Sequence, residues 1–528
     1  MGKKQVSRRK FLRGSFGVAA GSSLAACSSA PTASGEVQRG EICGSAWERP
    51  PRQEGNKQNL ILLVSDTFRA DNLECYGSKW VECPHLNKFA EESIILEDAY
   101  PEGMPTIPIR RSLTTGRRIV PFYYYRQHEP VQLPGWHELY NEDVTLSETL
   151  SEAGYATALI ADVPHMQRPG KNFHRGYRYY EWVRGQEVDY YASAPHDYPD
   201  FSDMFPQEYL NLPQLSRELD RARYSPANSF RDFLRQYKVN RQRWEKECEA
   251  LVELVARSSI RWLKDNHDQR PFFLHVEAFD PHEPWDPPRR FLQKYVPNPK
   301  GHTWPEPPYA DVKVPEDGVK RLRANYAGES SCVDFWFGQI LDTIRELGLF
   351  ENSVVVFMSD HGALLGEQGQ FVKGPERLRT QVTHIPLLIR MPNQEYAGKR
   401  VEGYVQIQDI MPTLLARLDL KRPSRSTGLD FWPLVTGDTK GIRESVVHAY
   451  GWIAAIRTPE WNLSTVWNPE KYQKTYLPQL YDTQKDPKEL ASVADQHPDV
   501  VTDLTAKLKE YIALGEGMTE GSFHQPMG

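Results

Sequence analysis

"NLILLVSDT", residues 59–67, is the stretch whose reading decides the fold. From Leu60 to Val64 the run is apolar without alternation, the pattern of a short strand buried on both faces in a parallel sheet. It ends in Asp66-Thr67, so the strand delivers a carboxylate at its C-terminal end, where open α/β sheets place function. The pattern returns twice: residues 271–278 run into Phe279-Asp280-Pro281-His282, and residues 353–358 run into Ser359-Asp360-His361-Gly362. Helical spacing of apolar residues occupies 247–266 and 319–347, with a shorter helix at 144–153. Strands alternating with helices predict an α/β fold with a mostly parallel central sheet flanked by helices.

Composition narrows the functional classes. With 39% hydrophobic and 25% charged residues among 528, the chain is an ordinary globular protein. A net charge of -6 offers no global attraction to nucleic acid or anionic membranes. No nucleic-acid partner is therefore expected, and an anionic substrate must be held by local arginines. No run of eighteen apolar residues follows the first thirty, so no spanning helix is expected. The 13 Trp and 26 Tyr suit core filling first and stacking on sugars or aryl groups second.

The N-terminus reads as a targeting signal. Ser7-Arg8-Arg9-Lys10-Phe11-Leu12, a short Gly/Ala-rich run and Leu24-Ala25-Ala26-Cys27 have the form of a twin-arginine signal closing in a lipoprotein box. This predicts a signal over 1–27 with Cys27 lipidated, a tether over 28–55, and a periplasmic or cell-surface bacterial lipoprotein that meets the membrane only by its anchor. A plain cleaved signal is the alternative. A main catalytic domain is expected over 56–440 and a small C-terminal α+β subdomain over 441–528, with short strands at 444–457, 461–466 and 480–482 and a helix over 498–514. Residues 185–240 break the rhythm and read as an insertion, either a substrate mouth or a surface ornament. The other five cysteines form no CxxC clip, are odd in number, and predict no disulfide framework.

Asp66, Asp280, His282, Asp360 and His361 all sit just after apolar runs. Singly, each is most often a turn residue. Their shared placement points to a joint site, and hard oxygen ligands with an imidazole suit Ca, Mg, Mn or Zn. Residues 104–118, "MPTIPIRRSLTTGRR", add a proline-restricted turn and a helix start, whose N–H groups attract anions. Thr106 at its head is either a helix N-cap, which composition favours, or a nucleophile.

Four motifs in order carry a resemblance over about residue 58 to the Leu480-Tyr481-Asp482 and Asp486-Pro487 region. They are Asp66-Thr67 with Arg69-Ala70-Asp71-Asn72 and Cys75-Tyr76-Gly77; Thr106-Ile107-Pro108-Ile109-Arg110 through Thr115-Gly116-Arg117; Phe279-Asp280-Pro281-His282-Glu283-Pro284-Trp285; and Ser359-Asp360-His361-Gly362 with Gly366-Glu367. Together they resemble the sulfatase family of the alkaline phosphatase superfamily. The resemblance implies an alkaline phosphatase-like fold and one divalent metal ion held by Asp66, Asp360 and His361. It places Thr106 at the nucleophile position, touching the metal, with Arg110 steadying it and His282 and Lys373 contacting substrate. A second ion, as in nucleotide phosphodiesterases, would draw on Asp280, His282 and His384.

Two departures sharpen the expectation. Thr67 stands where the family often has a second acidic residue, so it either ligates or caps. Thr106 stands where typical sulfatases carry the Cys or Ser that is oxidised to formylglycine; the same oxidation of threonine would give a ketone. An unmodified Thr106 can act as an alkoxide beside a metal and a cationic cradle, by double displacement as in phosphoryl-transfer relatives. The expected activity is hydrolysis of phosphate or phosphonate esters, diesters foremost, through a covalent Thr106 intermediate. The alternatives are a formylglycine-independent sulfatase on carbohydrate or aryl sulfates, a transferase to a cell-surface acceptor, and a non-catalytic surface lipoprotein binding anionic glycans. In each enzymatic case the substrate is an anionic small-molecule or glycan ester.

Overall fold

The computed structural model describes residues 57–123, 133–167, 170–187, 189–193, 200–215, 230–269, 271–472 and 474–523. The signal, the tether, Cys27 and Cys43 lie outside them. The strand Asn59–Ser65 is buried along its whole length. Its alternate residues separate as a pleated strand requires: Ile61 and Leu63 join one core, Leu60, Leu62 and Val64 the other. Parallel strands flank it, Phe272–Ala278 on one side and Ser353–Ser359 on the other, so Leu62 faces both His275 and Val356.

The full sheet has eight strands in the order Arg400–Val401, Ile94–Leu96, Leu387–Arg390, Ser353–Ser359, Asn59–Ser65, Phe272–Ala278, Ala156–Ala161, Tyr179–Trp182. Only Leu387–Arg390 runs antiparallel to its neighbours. One face packs on the helices Leu251–Asn266 and Glu316–Glu346 through Val252, Val255, Leu263, Val333, Phe337 and Ile340. The other packs on the helix Thr106–Thr115 through Ile109 and Leu113. The predicted α/β architecture, mostly parallel and covered on both faces, is the one observed.

Helix limits differ from the sequence expectation for local reasons. The expected helix over 247–266 starts at Leu251, because the amides of Glu247 and Cys248 both turn back to Trp244 O. The short helix Leu146–Glu152 begins with a reciprocal Thr145/Glu148 capping box. Of the irregular 185–240 segment, the described Phe201, Phe205 and Tyr209 pack with Trp285 and Trp304, behind the His282 loop.

A second sheet of five strands follows the order Gln479–Asp482, Trp461–Val466, Ile453–Arg457, Val446–Tyr450, Gly103–Met104. The run at 444–457 is thus a hairpin, turning at Gly451, whose φ of 61° suits glycine. The closing strand comes from far upstream: Gly103–Met104 pairs in parallel with Ala449 and Tyr450 and leads directly into Pro105-Thr106. The C-terminal helix runs over Pro498–Gly515. All described residues fall in one compact unit, Glu54–Gly528. Among them Cys75, Cys83, Cys248 and Cys332 are free thiols. None of their helices is long and apolar enough to cross a membrane.

Candidate active site

Asp66, Asp360 and His361 leave the ends of two adjacent parallel strands and converge in one fully buried group. One ligand atom from each lies within 4.8 Å of the others, the only such acidic or histidine group among the described residues. The Asp66 amide donates to Ala278 O at 2.9 Å, fixing the strand end. Asp360 Oδ1 accepts from the amides of Thr67 (3.0 Å) and His361 (2.7 Å). His361 Nδ1 lies 2.9 Å from Gly362 O. A carbonyl can only accept, so Nδ1 carries the proton and Nε2 presents its lone pair.

That Nε2 and Asp66 Oδ2 are buried without a hydrogen-bond partner. Burial and the neighbouring Asp360 push the Asp66 carboxyl well above its ordinary range. Burial alone would raise Asp360 too, but Arg110 and the backbone amides hold it below the usual carboxylate range. Burial holds His361 down to about 4, so its imidazole is neutral. Two carboxylates and a neutral imidazole converging in one buried group, with His361 Nε2 unpartnered, fit a divalent cation. The Thr67 hydroxyl donates to Asp66 Oδ1 at 2.7 Å and orients it. Its backbone is left-handed, with φ 64°.

Pro105, not Thr106, occupies the N-cap position of Thr106–Thr115, and no side chain caps that end. The capping reading is thereby corrected; Thr106 is the first helical residue, 1% exposed. Arg110 lies one turn later on the same face. Its Nε and Nη2 donate to Glu277 Oε2 at 3.2 and 2.8 Å, and Nη1 lies 3.2 Å from Asp66 Oδ2 and in close contact with Asp360 Oδ2. Three carboxylates therefore lock this buried guanidinium between the helix Thr106–Thr115 and the Asp66, Asp360 and His361 group.

His282 and Lys373, which the resemblance implies contact substrate, meet in one buried wall. His282 Nδ1 lies 2.7 Å from Glu283 O and so donates to it, leaving Nε2 to accept from Lys373 Nζ at 2.7 Å. The ring stacks on Phe279 at 4.0 Å, and burial holds it down to about 3, hence neutral. Lys373 also donates to Glu283 Oε1 (3.1 Å) and Tyr309 OH (3.0 Å). Burial opposes the Lys373 charge, but Glu283 outweighs it and raises the ammonium above its ordinary value.

The structure does not bring Asp280 and His384 into a second cation site. Asp280 accepts from Gln186 Nε2 at 2.8 Å and from the Val252 amide at 3.1 Å, anchoring the start of Leu251–Asn266. His384 bonds Glu97 O at 2.7 Å and packs between Tyr76 and Tyr100, just before the strand Leu387–Arg390.

Sequence reasoning missed Glu277, Glu283, Tyr309 and His165. Glu277 had a signal, a charge inside a buried apolar strand, which calls for a partner. His165 had one too: the strand Ala156–Ala161 is followed by Asp162 and then His165, whose ring lies 6.4 Å from that of His282. Tyr309 sits in an irregular loop and carried none.

The sulfatase family model matches residues 58–420, and a model described as N-sulphoglucosamine sulphohydrolase, C-terminal, matches 366–514. An arylsulfatase of Clostridium perfringens is 25% identical over 502 residues, covering 88% of this chain and 97% of the relative. Among solved structures, a phosphonate monoester hydrolase of Agrobacterium radiobacter superposes with TM-score 0.63 at 19% identity, covering 87% of this chain and 96% of that one. A chain solved in complex with its substrate D-glucosamine-2-N,6-O-disulfate gives TM-score 0.62 at 17% identity, covering 88% of this chain and 100% of that one. With more than half the chain matched by the family model, and with its strand-end motifs converging in one buried group, this chain belongs to the sulfatase family.

Proposed function

We propose that this sulfatase-family hydrolase cleaves phosphate or phosphonate esters, diesters foremost, through a covalent Thr106 intermediate. The observation that carries the reading is Thr106 itself: a residue that cannot mature to formylglycine heads the helix, uncommitted to capping, one turn before the locked Arg110. Asp66, Asp360 and His361 would hold a divalent ion, which would supply positive charge favouring the alkoxide and the anionic transition state. Thr106 Oγ, its proton passing to water, bonds the phosphorus as the ester oxygen departs. Lys373, hydrogen-bonded to neutral His282, gives that oxygen a proton. Water then attacks the same phosphorus and gives up a proton that regenerates the Thr106 hydroxyl as its bond to phosphorus breaks, while the proton first released to water restores the Lys373 ammonium. By name, the phosphonate monoester hydrolase neighbour acts on phosphonate monoesters, one of these classes.

Hydrolysis of carbohydrate or aryl sulfates without formylglycine is the second reading. It is favoured by the arylsulfatase relative and by the neighbour bound to a disulfated glucosamine. Intact mass after brief incubation with an activated aryl phosphodiester should reveal a Thr106 adduct, and Thr106→Ala should lose about 10³-fold or more in kcat/KM. Activity retained in Thr106→Ala sinks the nucleophile assignment. A side-by-side ester panel preferring sulfate transfers the conclusion to the second reading, and no turnover of any ester leaves glycan binding alone. The twin-arginine and lipoprotein motifs support export and membrane attachment through Cys27; in Cys27→Ser the protein should leave the membrane fraction.

A further inference from the structure

The substrate wall contains a group that binding an anion does not call for, a carboxylate against the substrate lysine. Glu283 is 2% exposed, its Oε1 accepts from Lys373 Nζ at 3.1 Å and from Tyr309 OH, and its Oε2 is buried without a partner. The arrangement is built. Tyr309 is held by Arg377, which donates to its carbonyl at 2.6 Å, and Glu283 follows His282, whose ring is fixed on Phe279. A lysine that only had to attract an anion would do so better unpaired, since an opposite charge at about 3 Å in a dry site cancels much of its field.

The wall thus presents one ammonium, one carboxylate and one imidazole whose Nε2 accepts a hydrogen bond. All three ammonium N–H groups of Lys373 are engaged, by His282, Glu283 and Tyr309, so to a ligand some ångströms away the wall offers a paired ammonium and carboxylate with little net charge. We infer that Glu283 is a specificity-determining residue that matches the site to esters bearing a single negative charge and sets it against doubly charged phosphate monoesters. Sulfate monoesters, phosphate diesters and phosphonate monoesters each bear one charge. A phosphate monoester bears nearly two above its second pKa, about 6. Its extra charge would meet the Glu283 carboxylate with no added cation to answer it. The inference rests on this being the ester-binding site, but not on the Thr106 chemistry or on the choice between sulfur and phosphorus.

The test uses two unhydrolysable anions of the same shape, benzenesulfonate with one charge and phenylphosphonate with two at pH 8.5, bound to the intact protein and followed by calorimetry. Benzenesulfonate should bind the more tightly. Glu283→Gln should shift the ratio of affinities toward phenylphosphonate by about tenfold or more, about 1.4 kcal/mol, whereas Glu283→Asp should largely keep it. A ratio unchanged within threefold in a folded Glu283→Gln protein overturns the inference, because a carboxylate that merely positions Lys373 would weaken both anions alike. The unsubstituted protein gives a second test. Phenylphosphonate should bind less tightly as its second proton leaves between pH 6 and 8.5, with benzenesulfonate as the reference at each pH. Tighter binding of the dianion relative to that reference overturns the inference without any variant. If neither anion binds, the site assignment beneath it falls as well.

Discussion

Thr67 is a β-branched residue at φ 64°, a conformation such side chains rarely adopt and one that costs on the order of 1–3 kcal/mol. The surrounding bonds show what holds it there: its amide reaches Asp360 and its hydroxyl reaches Asp66, so one residue registers both carboxylates. Thr67→Val keeps the backbone and removes the hydroxyl. Metal titration should then show about 10–100-fold weaker binding, the usual loss when a ligand's outer partner goes. Thr67→Gly should weaken metal similarly yet resist denaturant better, because glycine tolerates this φ. Asp66, Asp360 and His361 were legible as strand-end residues, a property of the chain alone, but so was Asp280, and only the family resemblance separated it from the three. Thr106 was not separable from a cap by composition, since the distinction lies in whether Pro105 or Thr106 turns the chain. Glu277 pairs with Arg110 across 167 positions, a meeting that exists only once helix and sheet have packed.

The strand Val446–Tyr450 carries a histidine with no catalytic part. His448 is fully buried, bonds Pro101 O at 2.9 Å, and is held down to about 3 by burial. In the unfolded chain a histidine takes its proton below about pH 6.5, whereas the folded strand refuses it until about pH 3, so acid favours unfolding. The stability advantage of the native protein over His448→Gln should therefore shrink by about 1.4 kcal/mol per pH unit between pH 6.5 and 3. Urea melts at pH 7.5, 6 and 5 measure it, and a constant difference would contradict the buried neutral state. Long elements were legible because their period repeats: the helix expected over 319–347 is Glu316–Glu346. The strand Ala156–Ala161 was not read in advance. Its alanines carry little strand preference, and it is a strand because Phe272–Ala278 and Tyr179–Trp182 pair with it on both sides.

The whole molecule should answer to its cation. A ligand bound only by the folded state adds about 4 kcal/mol at a thousand times its Kd, so chelation should lower Tm and the right divalent ion should restore it. Because burial and the neighbouring Asp360 raise the Asp66 carboxyl, cation binding should release a proton and tighten as pH rises. Calorimetry in buffers of different ionisation heat counts that proton, and binding without release would remove Asp66 from the ligand set. The architecture was legible from three strand-end motifs. The second sheet was legible only in part, because its closing strand lies far upstream of the rest.

That closing strand also sets a timetable. Gly103–Met104, which leads into Thr106, finds its sheet partner only when residues 449 and 450 exist. At 5–20 residues per second, a ribosome makes the partner roughly 20–70 s after the strand itself. Throughout that interval the Pro105-Thr106 turn lacks the sheet partner of the strand that leads into it. The nascent chain is thus silent as an enzyme until it is almost complete, and a product cut short before the hairpin would carry every metal ligand yet lack the strand that sets Thr106 among them.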